Sequence, residues 1–217
     1  MAHSAPILIT AGPAYEPIDN VRRLTNFSTG TLGCTLATLL TSKGFDVTLA
    51  LSEAATCKAN TAAARVLNFT TNDSLSELLH DLGSNQSWHG VLHTAALADF
   101  RVDEVLDDRN QPLKKRKIPS STSELKIILK PAAKIIRQLR PIFPDAKIAG
   151  WKYELEGTRQ TALQKGWGQI EDCKTDACVV NGLAYGDGYA FCAGRNQSVH
   201  LNDLEALADH LSRWLGE

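Results

Sequence analysis

The stretch Val21–Gly33, read as VRRLTNFSTGTLG, stands directly before the first helical pattern of the chain. Four leucines at helical spacing mark that pattern: Leu32, Leu36, Leu39 and Leu40. They predict a helix with one apolar face. Gly33 and Ala37 lie one turn apart, which predicts close packing of this helix against a sheet. Gly44 stands where a left-handed residue ends such a helix.

Small and hydroxylated residues occupy the start of this predicted helix: Ser28, Thr29, Gly30 and Gly33. Free backbone N–H groups and the positive end of the helix dipole bind phosphate there. The residues therefore indicate a phosphate-bearing ligand at Ser28–Gly33, with an ordinary capped helix as the alternative. The preceding strand, Ile7–Thr10, leads through Gly12 into a long polar loop. Such a length between a first strand and a first helix is unusual unless the loop carries function.

The composition is that of a soluble globular protein, with 217 residues, 43% hydrophobic and 22% charged. A net charge of −1 creates no general attraction for nucleic acid or for an anionic membrane. Five cysteines show no CxxC or zinc-like spacing, which indicates reduced thiols in a cytoplasmic protein. Neither a signal peptide nor a membrane span is expected from the sequence.

Strand and helix patterns alternate along the chain. After the first strand, apolar strand-like runs recur: Asp46–Leu51, Arg65–Phe69, Gly90–Thr94, Lys147–Trp151, Cys178–Asn181 and Ser198–Leu201. Repeated alternation of this kind predicts an α/β domain whose mostly parallel sheet carries helices on both faces.

Helical patterns fill the intervals between these runs. Ser74 with Glu77, and Asn202 with Glu205, predict capping boxes at the starts of two helices, the first of which closes at Gly83. Two further helices are predicted over Pro131–Arg140 and over Arg159–Cys173, the latter despite its glycines. Ala54–Ala64 fits either a short helix or an exposed loop.

The regular alternation breaks at about residue 103. Asp103–Pro119 is polar and includes the basic run Lys114–Lys117, and Leu125–Lys130 follows as a partly alternating strand. This segment predicts an extended arm at about 103–130, laid across a single domain of residues 1–217. The basic run is either a solvated loop or a mobile element that closes over a polyphosphate.

Four segments follow strands and are expected to meet at one crevice: Thr10–Pro13, Thr94–Arg101, Gly150–Glu154 and Asn181–Gly188. In the second segment, small residues such as Ala95 and Ala96 allow a ring or sugar near the backbone. Asp99 is a candidate acceptor for hydroxyl groups; the alternative is an Asp that caps a turn or pairs with Arg101. In the third segment, Gly150 and Trp151 are candidate ligand contacts, although tryptophans of this kind are commonly core residues.

The sequence lacks several motifs that mark well-known cofactor-binding and catalytic sites. No G-x-G-x-x-G follows the first strand closely, and there is no Walker A loop, nucleophile elbow or H-E-x-x-H motif. The chemistry is therefore expected to depend on positioning, on charge and on a divalent ion carried by phosphates, with no protein metal site predicted.

The ordered motifs resemble the signature of the phosphopantothenoylcysteine synthetase family. The resemblance starts with ILITAGPAYEPIDNVRRLTNFSTGTLG (Ile7–Gly33) and AALADFRV (Ala95–Val102). It continues through the pair Lys117–Ile118 and the L-x-I-x-L strand before Pro131. It ends with GWKYE (Gly150–Glu154) and D-x-C-V-V-N (Asp176–Asn181), so that it covers nearly the whole chain in order.

The resemblance implies a Rossmann-like fold with an antiparallel arm used in forming a homodimer. It implies a ligase of coenzyme A biosynthesis that joins 4′-phosphopantothenate to L-cysteine through an acyl-nucleotide intermediate, with Mg²⁺ and CTP or ATP. By their matches, Asn26 orients the acyl intermediate and Lys117 stabilises charge during activation. Asp99 and the backbone of Ala95–Ala96 hold the nucleoside.

Departures from the family pattern leave alternatives open. Where bacterial members commonly show Lys-x-Lys-Lys, this chain has Lys117–Ser120, which leaves CTP and ATP both open and makes Lys114 and Lys115 alternatives for the role of Lys117. The chain offers no residues for a flavin-containing decarboxylase, so no flavin is expected. A non-catalytic nucleotide-binding paralogue and a dinucleotide- or flavin-dependent oxidoreductase on the same fold are the competing functions.

Overall fold

A central sheet of eight strands organises the protein, whose computed structural model describes residues 5–57, 65–113, 116–194 and 196–217. The strands among these residues are β1 (Pro6–Ala11), β2 (Tyr15–Pro17), β3 (Arg23–Thr25), β4 (Asp46–Ser52), β5 (Arg65–Phe69), β6 (Gly90–His93), β7 (Phe100–Leu106), β8 (Lys126–Pro131), β9 (Lys147–Tyr153), β10 (Ala177–Gly182), β11 (Gly186–Ala193) and β12 (Gln197–Leu201). The large sheet has the order β12-β11-β10-β9-β6-β1-β4-β5. Its strands are parallel from β5 to β10, and β11 runs antiparallel to both of its neighbours.

Helices cover both faces of this sheet, as the sequence predicted. The helices are α1 (Thr31–Ser42), α2 (Asn72–Asn85), the single turn α3 (Leu139–Ile142), α4 (Arg159–Cys173) and α5 (Leu204–Gly216). Alternate residues of β1 point to opposite cores: Ile7 and Ile9 pack with α1 and α5, while Leu8 packs with α2 and α3. A third core joins α4 to β10 and β11. The mostly parallel α/β fold is therefore confirmed.

Two predicted helix starts are wrong by one to three residues. The cap of α2 is Thr71, whose side chain accepts a hydrogen bond from the Ser74 N–H, and the cap of α5 is Asp203 instead of Asn202. Both caps have an extended backbone that aims the side-chain oxygen at the first turn. Helix α2 also continues past Gly83, which was predicted to end it. A Cβ on Gly83 would stand 2.5 Å from Ile142 Cγ2, so this glycine allows close packing against Ile142.

The segment after the arm differs most from its predicted helix over Pro131–Arg140. Pro131 is the last residue of β8, and the Ala132 N–H donates to the Asp99 carbonyl oxygen at 2.9 Å. This bond holds the chain extended, so helical structure begins only with a 3₁₀ turn at Ile135–Gln138. The sequence interpretation also passes over β11, whose glycines Gly186 and Gly188 weaken the strand pattern.

Two antiparallel hairpins project from the carboxyl side of the fold. Strands β7 and β8 pair along the predicted arm, with a bulge between Val102 and Glu104. The long loop after β1 contains a smaller hairpin, β2 with β3. Lys114, Lys115 and most of Ala54–Ala64 lie outside the described residues. Within the described ranges, no helix has the length and apolar character needed to cross a membrane.

Candidate functional site

The start of α1 has the close backbone packing predicted for it. Gly30 is its N-cap, with a left-handed φ of 81°, and no side chain caps the helix. A Cβ on Gly33 would stand 2.5 Å from both Ala11 Cβ and Thr94 Oγ1, so only glycine allows this approach to β1. Thr29 Oγ1 accepts from the Thr31 N–H at 3.3 Å and lies 2.8 Å from Thr31 Oγ1.

Gly12 and Gly30 let three loops meet beside this helix start. Both have positive φ, and a Cβ on Gly30 would stand 3.2 Å from the Gly12 Cα. The Thr29 carbonyl oxygen accepts from the N–H groups of Thr56 and Cys57, which ties in the segment after β4. The Gly30 N–H lies 3.4 Å from Ser28 Oγ. The predicted phosphate-binding residues are thus brought together at one end of α1.

Asn26 is fastened to the loop that follows β6. Its Nδ2 donates to the carbonyl oxygens of Ala96 at 3.1 Å and Leu97 at 3.0 Å. An amide nitrogen has two hydrogens, so both predicted donors of Asn26 are engaged in this structure. Asn26 therefore positions the 95–99 loop, and contact between its N–H groups and an acyl carbonyl requires their release.

The 95–99 loop is held from three sides. The Ala96 N–H donates to the Gly12 carbonyl oxygen at 3.0 Å, and the buried Asn72 bonds both the N–H and the carbonyl oxygen of Ala98. Sequence interpretation did not single out Asn72, which looks like any polar residue at a helix start. The Asp99 carboxylate pairs with the Lys134 ammonium, not with Arg101.

Lys117 lies on an anchored part of the arm. Its neighbour Ile118 is buried, donates its N–H to Asp19 Oδ2 at 3.0 Å and accepts from Arg22 Nη2 at 3.0 Å. The Ile118 N–H, with further bonds from Val21 and Arg22, holds the pKa of Asp19 below its usual range. Lys117 itself is exposed and is not among the residues that line the cavity described next.

A cavity of about 460 Å³ opens on the face of the sheet that carries α4. It is lined by His93, Ala95, Leu97, Ala98, Asp99, Ala133, Lys134, Ile135, Ile136, Arg137, Trp151, Lys152, Lys165, Gly168, Gln169, Asp172 and Cys173. Of the predicted site residues, Ala95, Asp99 and Trp151 line it. Two of the four segments predicted to meet at one crevice, Thr94–Arg101 and Gly150–Glu154, contribute to this cavity, whereas the residues at the start of α1 do not line it. Helix α1 packs on the other face of the sheet, and the 95–99 loop contacts both regions. The Asn181–Gly188 segment borders a separate depression with Tyr153 and Asp203.

Four cations line this cavity, against two carboxylates: Lys134, Arg137, Lys152 and Lys165, with Asp99 and Asp172. Sequence interpretation missed all four cations. Lys134 and Arg137 belong to the segment that was predicted to be helical, and Lys165 and Gln169 are one turn apart on α4. For Lys165 that spacing was the only available signal, and it is common on solvated helices. Lys152 lies within the Gly150–Glu154 segment that was expected at the crevice, although it was not named as a site residue.

Gly150 and Trp151, which were predicted to contact the ligand, both pack against other parts of the protein. A Cβ on Gly150 would stand 2.3 Å from Gln169 Oε1 and 2.7 Å from Ile136 Cδ1, so the space at this glycine is filled by protein and not by a ligand. The half-buried Trp151 side chain packs against the core on the α1 face, and its buried Nε1 has no hydrogen-bond partner among the described residues.

His93 forms part of the cavity wall. Burial lowers its pKa from 6.5 to about 4, and its Nδ1 lies 2.9 Å from Thr10 Oγ1. The imidazole is therefore neutral at physiological pH, and the positive charge of the cavity comes from the four lysine and arginine side chains.

The chain is similar to two curated relatives from archaea. It shares 27% identity with the coenzyme A biosynthesis bifunctional protein CoaBC of Thermococcus kodakarensis, over 180 residues that cover 82% of this chain and 41% of that protein. It shares 25% identity with the CoaBC of Methanocaldococcus jannaschii, over 186 residues that cover 84% of this chain and 42% of that protein. The chain thus spans less than half the length of these relatives.

Solved structures share the fold. The DNA/pantothenate metabolism flavoprotein from Streptococcus pneumoniae has a TM-score of 0.84 and 22% identity, with 98% of this chain and 99% of that chain covered. A Cab2 mutant in complex with phosphopantothenate-cysteine has a TM-score of 0.73 and 20% identity, with 99% of this chain and 88% of that chain covered.

A family model described as the DNA/pantothenate metabolism flavoprotein C-terminal domain matches residues 2–211. That match spans almost the full sequence, and the two archaeal relatives are coenzyme A biosynthesis proteins. The resemblance to the phosphopantothenoylcysteine synthetase family is therefore confirmed, and the chain belongs to the DNA/pantothenate metabolism flavoprotein C-terminal domain family.

Proposed function

We propose that this chain is a ligase that joins 4′-phosphopantothenate to L-cysteine through an acyl-nucleotide intermediate, with CTP or ATP as the nucleotide. The observation that carries the proposal is the cation-rich cavity beside the 95–99 loop, in a chain of this family. The similar structure of Cab2 holds phosphopantothenate-cysteine, the product that such a ligation yields.

The nucleotide occupies the cavity in this proposal. Lys134, Arg137, Lys152 and Lys165 neutralise its phosphates, and small or apolar residues of the same lining accept the base. Asp99 accepts hydrogen bonds from the ribose hydroxyls once Lys134 turns from it to a phosphate. That exchange costs little, because both partners of the ion pair are more than half exposed, at 58% and 69%.

The start of α1 offers a second place for a phosphate. The proposed reaction needs two phosphorylated substrates, and the cavity and the helix start lie on opposite faces of the sheet. The phosphate of 4′-phosphopantothenate fits the N–H groups at Gly30–Gly33, where the helix dipole attracts anions and where it would replace the long contacts from Ser28 and Thr29 hydroxyls. Its carboxylate then extends across the carboxyl ends of β1 and β6 towards the cavity.

The proposed chemistry has two balanced steps. A carboxylate oxygen of phosphopantothenate attacks the α-phosphorus of the nucleotide, and the bond to the bridging oxygen breaks to release pyrophosphate. The amine of cysteine then attacks the acyl carbon, forms the amide, loses a proton and releases the nucleoside monophosphate. Lys117 on the anchored arm stabilises charge in the first step, and Asn26 orients the 95–99 loop for both.

Magnesium is compatible with this site as a companion of the nucleotide. Within the described ranges, no group of three or more His, Cys, Asp or Glu side chains is arranged to hold a metal ion. Mg²⁺ commonly binds through one or two carboxylates together with substrate phosphates. Asp99 and Asp172 supply carboxylates at the cavity, and the bound ion would neutralise phosphate charge there.

Pyrophosphate release tests the proposed function. The protein is mixed with phosphopantothenate, Mg²⁺ and either CTP or ATP, and cysteine is added after a delay. We expect pyrophosphate before cysteine and nucleoside monophosphate only after it. Lys117→Ala should slow pyrophosphate release by about 100-fold, whereas the neighbouring Arg116→Ala should leave it within about twofold.

The alternatives predict different results in the same assay. Nucleotide binding without pyrophosphate release, for either triphosphate, would identify a non-catalytic paralogue. The engaged N–H groups of Asn26 and the position of Lys117 outside the cavity are the features that favour this alternative. Equal activity of Lys117→Ala and the parent would remove Lys117 from the mechanism without affecting the assignment as a ligase.

A further inference from the structure

The carboxamide of Gln169 is fixed by two partners that require the same orientation. On its oxygen side, the Cys178 thiol donates to Oε1 at 3.1 Å. On its nitrogen side, Nε2 donates to the Trp151 carbonyl oxygen at 3.3 Å. A carbonyl oxygen can only accept, so Nε2 must face Trp151, and the thiol then meets the oxygen.

The Cys178 thiol stays protonated and therefore remains a donor. Its side chain is buried between α4 and the sheet, and burial raises the pKa of the thiol well above its usual range. Gly150 leaves room for the carboxamide oxygen, because a Cβ at this position would stand 2.3 Å from Gln169 Oε1. The carboxamide oxygen thus fits into a space formed by a glycine and a thiol.

This orientation leaves one N–H of Gln169 available to a ligand. The Nε2 group has two hydrogens, and the Trp151 carbonyl takes one of them. Gln169 lines the cavity, beside apolar or small residues that suit a flat ring: Ala133, Ile136 and Gly168. A Cβ on Gly168 would have no atom within 4 Å, so this wall has room for a base, while the cations serve the phosphates.

We propose that Gln169 is a specificity-determining residue that donates a hydrogen bond to an acceptor ring nitrogen of the nucleobase. Cys178 is its positioning residue, because the thiol holds the carboxamide in the donating orientation. Cytosine N3 and adenine N1 are acceptors, whereas uracil N3 and hypoxanthine N1 each carry a hydrogen. The site therefore selects CTP or ATP over UTP or ITP. This inference rests on the proposed nucleotide in the cavity.

Titration calorimetry with CTP, UTP, ATP and ITP tests the inference in the full chain. We expect the parent to bind CTP or ATP at least about 10-fold more tightly than its oxo counterpart. Cys178→Ser retains a donor and should keep that ratio within about twofold. Cys178→Ala removes one of the two partners that fix the carboxamide, while the Trp151 carbonyl remains, and should lower the ratio to an intermediate value of about fivefold. Gln169→Leu removes the donor itself and should lower the ratio to about twofold.

Cys192→Ala is the matched control. Cys192 lies opposite Cys178 on β11 and is equally buried, but its thiol does not bond to the Gln169 carboxamide. The Cys192→Ala substitution removes the same volume from the same core as Cys178→Ala, and it should leave the ratio of nucleotide affinities unchanged. The CTP and ATP arms show which base the site accepts.

The two proposals fail in different ways. If the parent binds none of the four nucleotides, the proposed function is overturned. If it binds them but Cys178→Ala and Gln169→Leu keep the parent ratio, the role of Gln169 and Cys178 is overturned while the nucleotide site stands. A loss of discrimination in Cys192→Ala equal to that in Cys178→Ala would reduce Cys178 to a packing residue.

Discussion

Single side chains decide the charge and the polarity of the proposed nucleotide site. Lys165 pairs with Glu154, and Lys134 pairs with Asp99, so two of the four cavity cations have a carboxylate partner in the ligand-free protein. Arriving phosphates compete with these carboxylates. The affinity for a nucleotide therefore depends on the balance between the cations and their own partners.

Lys165→Ala should weaken nucleotide binding by about 10-fold, because it removes a charge-assisted contact and leaves the Glu154 carboxylate unopposed beside the phosphates. Titration calorimetry at fixed salt measures the effect. Lys43→Ala is the control, since Lys43 forms a comparable ion pair with Asp209, far from the cavity. Equal affinities of the two variants would contradict a phosphate contact at Lys165.

His93 should make the folded state sensitive to mild acid. Its pKa is lowered from 6.5 to about 4 in the folded protein, so between these pH values the unfolded chain binds a proton that the folded protein does not. Stability supported by the neutral imidazole is present above pH 6.5 and is lost as the pH falls towards 4, by on the order of 2–3 kcal/mol.

Urea unfolding at pH 7 and pH 4.5 checks this expectation through the difference between the two free energies of unfolding. His93→Gln should show a smaller difference than the parent, whatever its stability at pH 7. His80→Gln, at an exposed histidine of α2, should show the parent's difference. An unchanged difference in His93→Gln would mean that His93 is not the group responsible.

At the scale of elements, close packing of α1 against β1 sets the position of the proposed phosphate site. Gly33 permits that approach, and Gly12 with Gly30 lets the adjoining loops meet. The 95–99 loop is added to this assembly by Asn26 and Asn72, which come from different elements. Backbone contacts between the glycine loops and the amide side chains of Asn26 and Asn72 therefore hold this region together.

Gly33→Ala should destabilise the protein by about 1–3 kcal/mol, because the new methyl group overlaps Ala11 and Thr94 and forces α1 away from the sheet. Chemical unfolding gives the free energy. Gly168→Ala is the matched control within a helix, since its Cβ would meet open space. It should raise the free energy of unfolding by about 0.5–1 kcal/mol. Similar stabilities for Gly33→Ala and the parent would show that α1 can shift at no cost.

At the scale of the whole molecule, strands β7 and β8 form the arm as a separate antiparallel pair outside the large sheet. Apolar side chains stay exposed on this arm, among them Phe100, Ile128 and Leu129, with 54%, 41% and 43% of their surface accessible. Large apolar side chains that stay exposed on one element are a feature of surfaces that bind another protein. They support the prediction, made from the resemblance, of a homodimer formed through the arm.

Ile128→Asp should shift the protein from dimer to monomer, because it places a charge within an apolar contact. Light scattering coupled to size-exclusion chromatography measures the mass. Val199→Asp is the control, at an exposed valine of β12 on a different edge of the molecule. A parent that is monomeric at all accessible concentrations would remove the arm as a dimer interface.

Local patterns were enough to predict much of this molecule. The helical spacing of the leucines around Leu36 and the left-handed position of Gly44 define α1 through interactions within a few residues. The parallel sheet follows in the same way, because buried strands and amphipathic helices carry their own periodicity. The predicted arm also follows, since its polar composition interrupts that periodicity.

Only the tertiary structure decided what the loops and polar side chains do. Lys134, Lys152 and Lys165 come from three elements, and each resembles a solvated lysine until the fold places them around one cavity. Gly150 resembled a ligand contact, yet Gln169 fills its space from a helix 19 residues away in sequence. The partner of a polar side chain is often a group far away in the sequence that the fold brings beside it. Periodicity reports only on neighbours within a few residues, so it cannot predict such a partner.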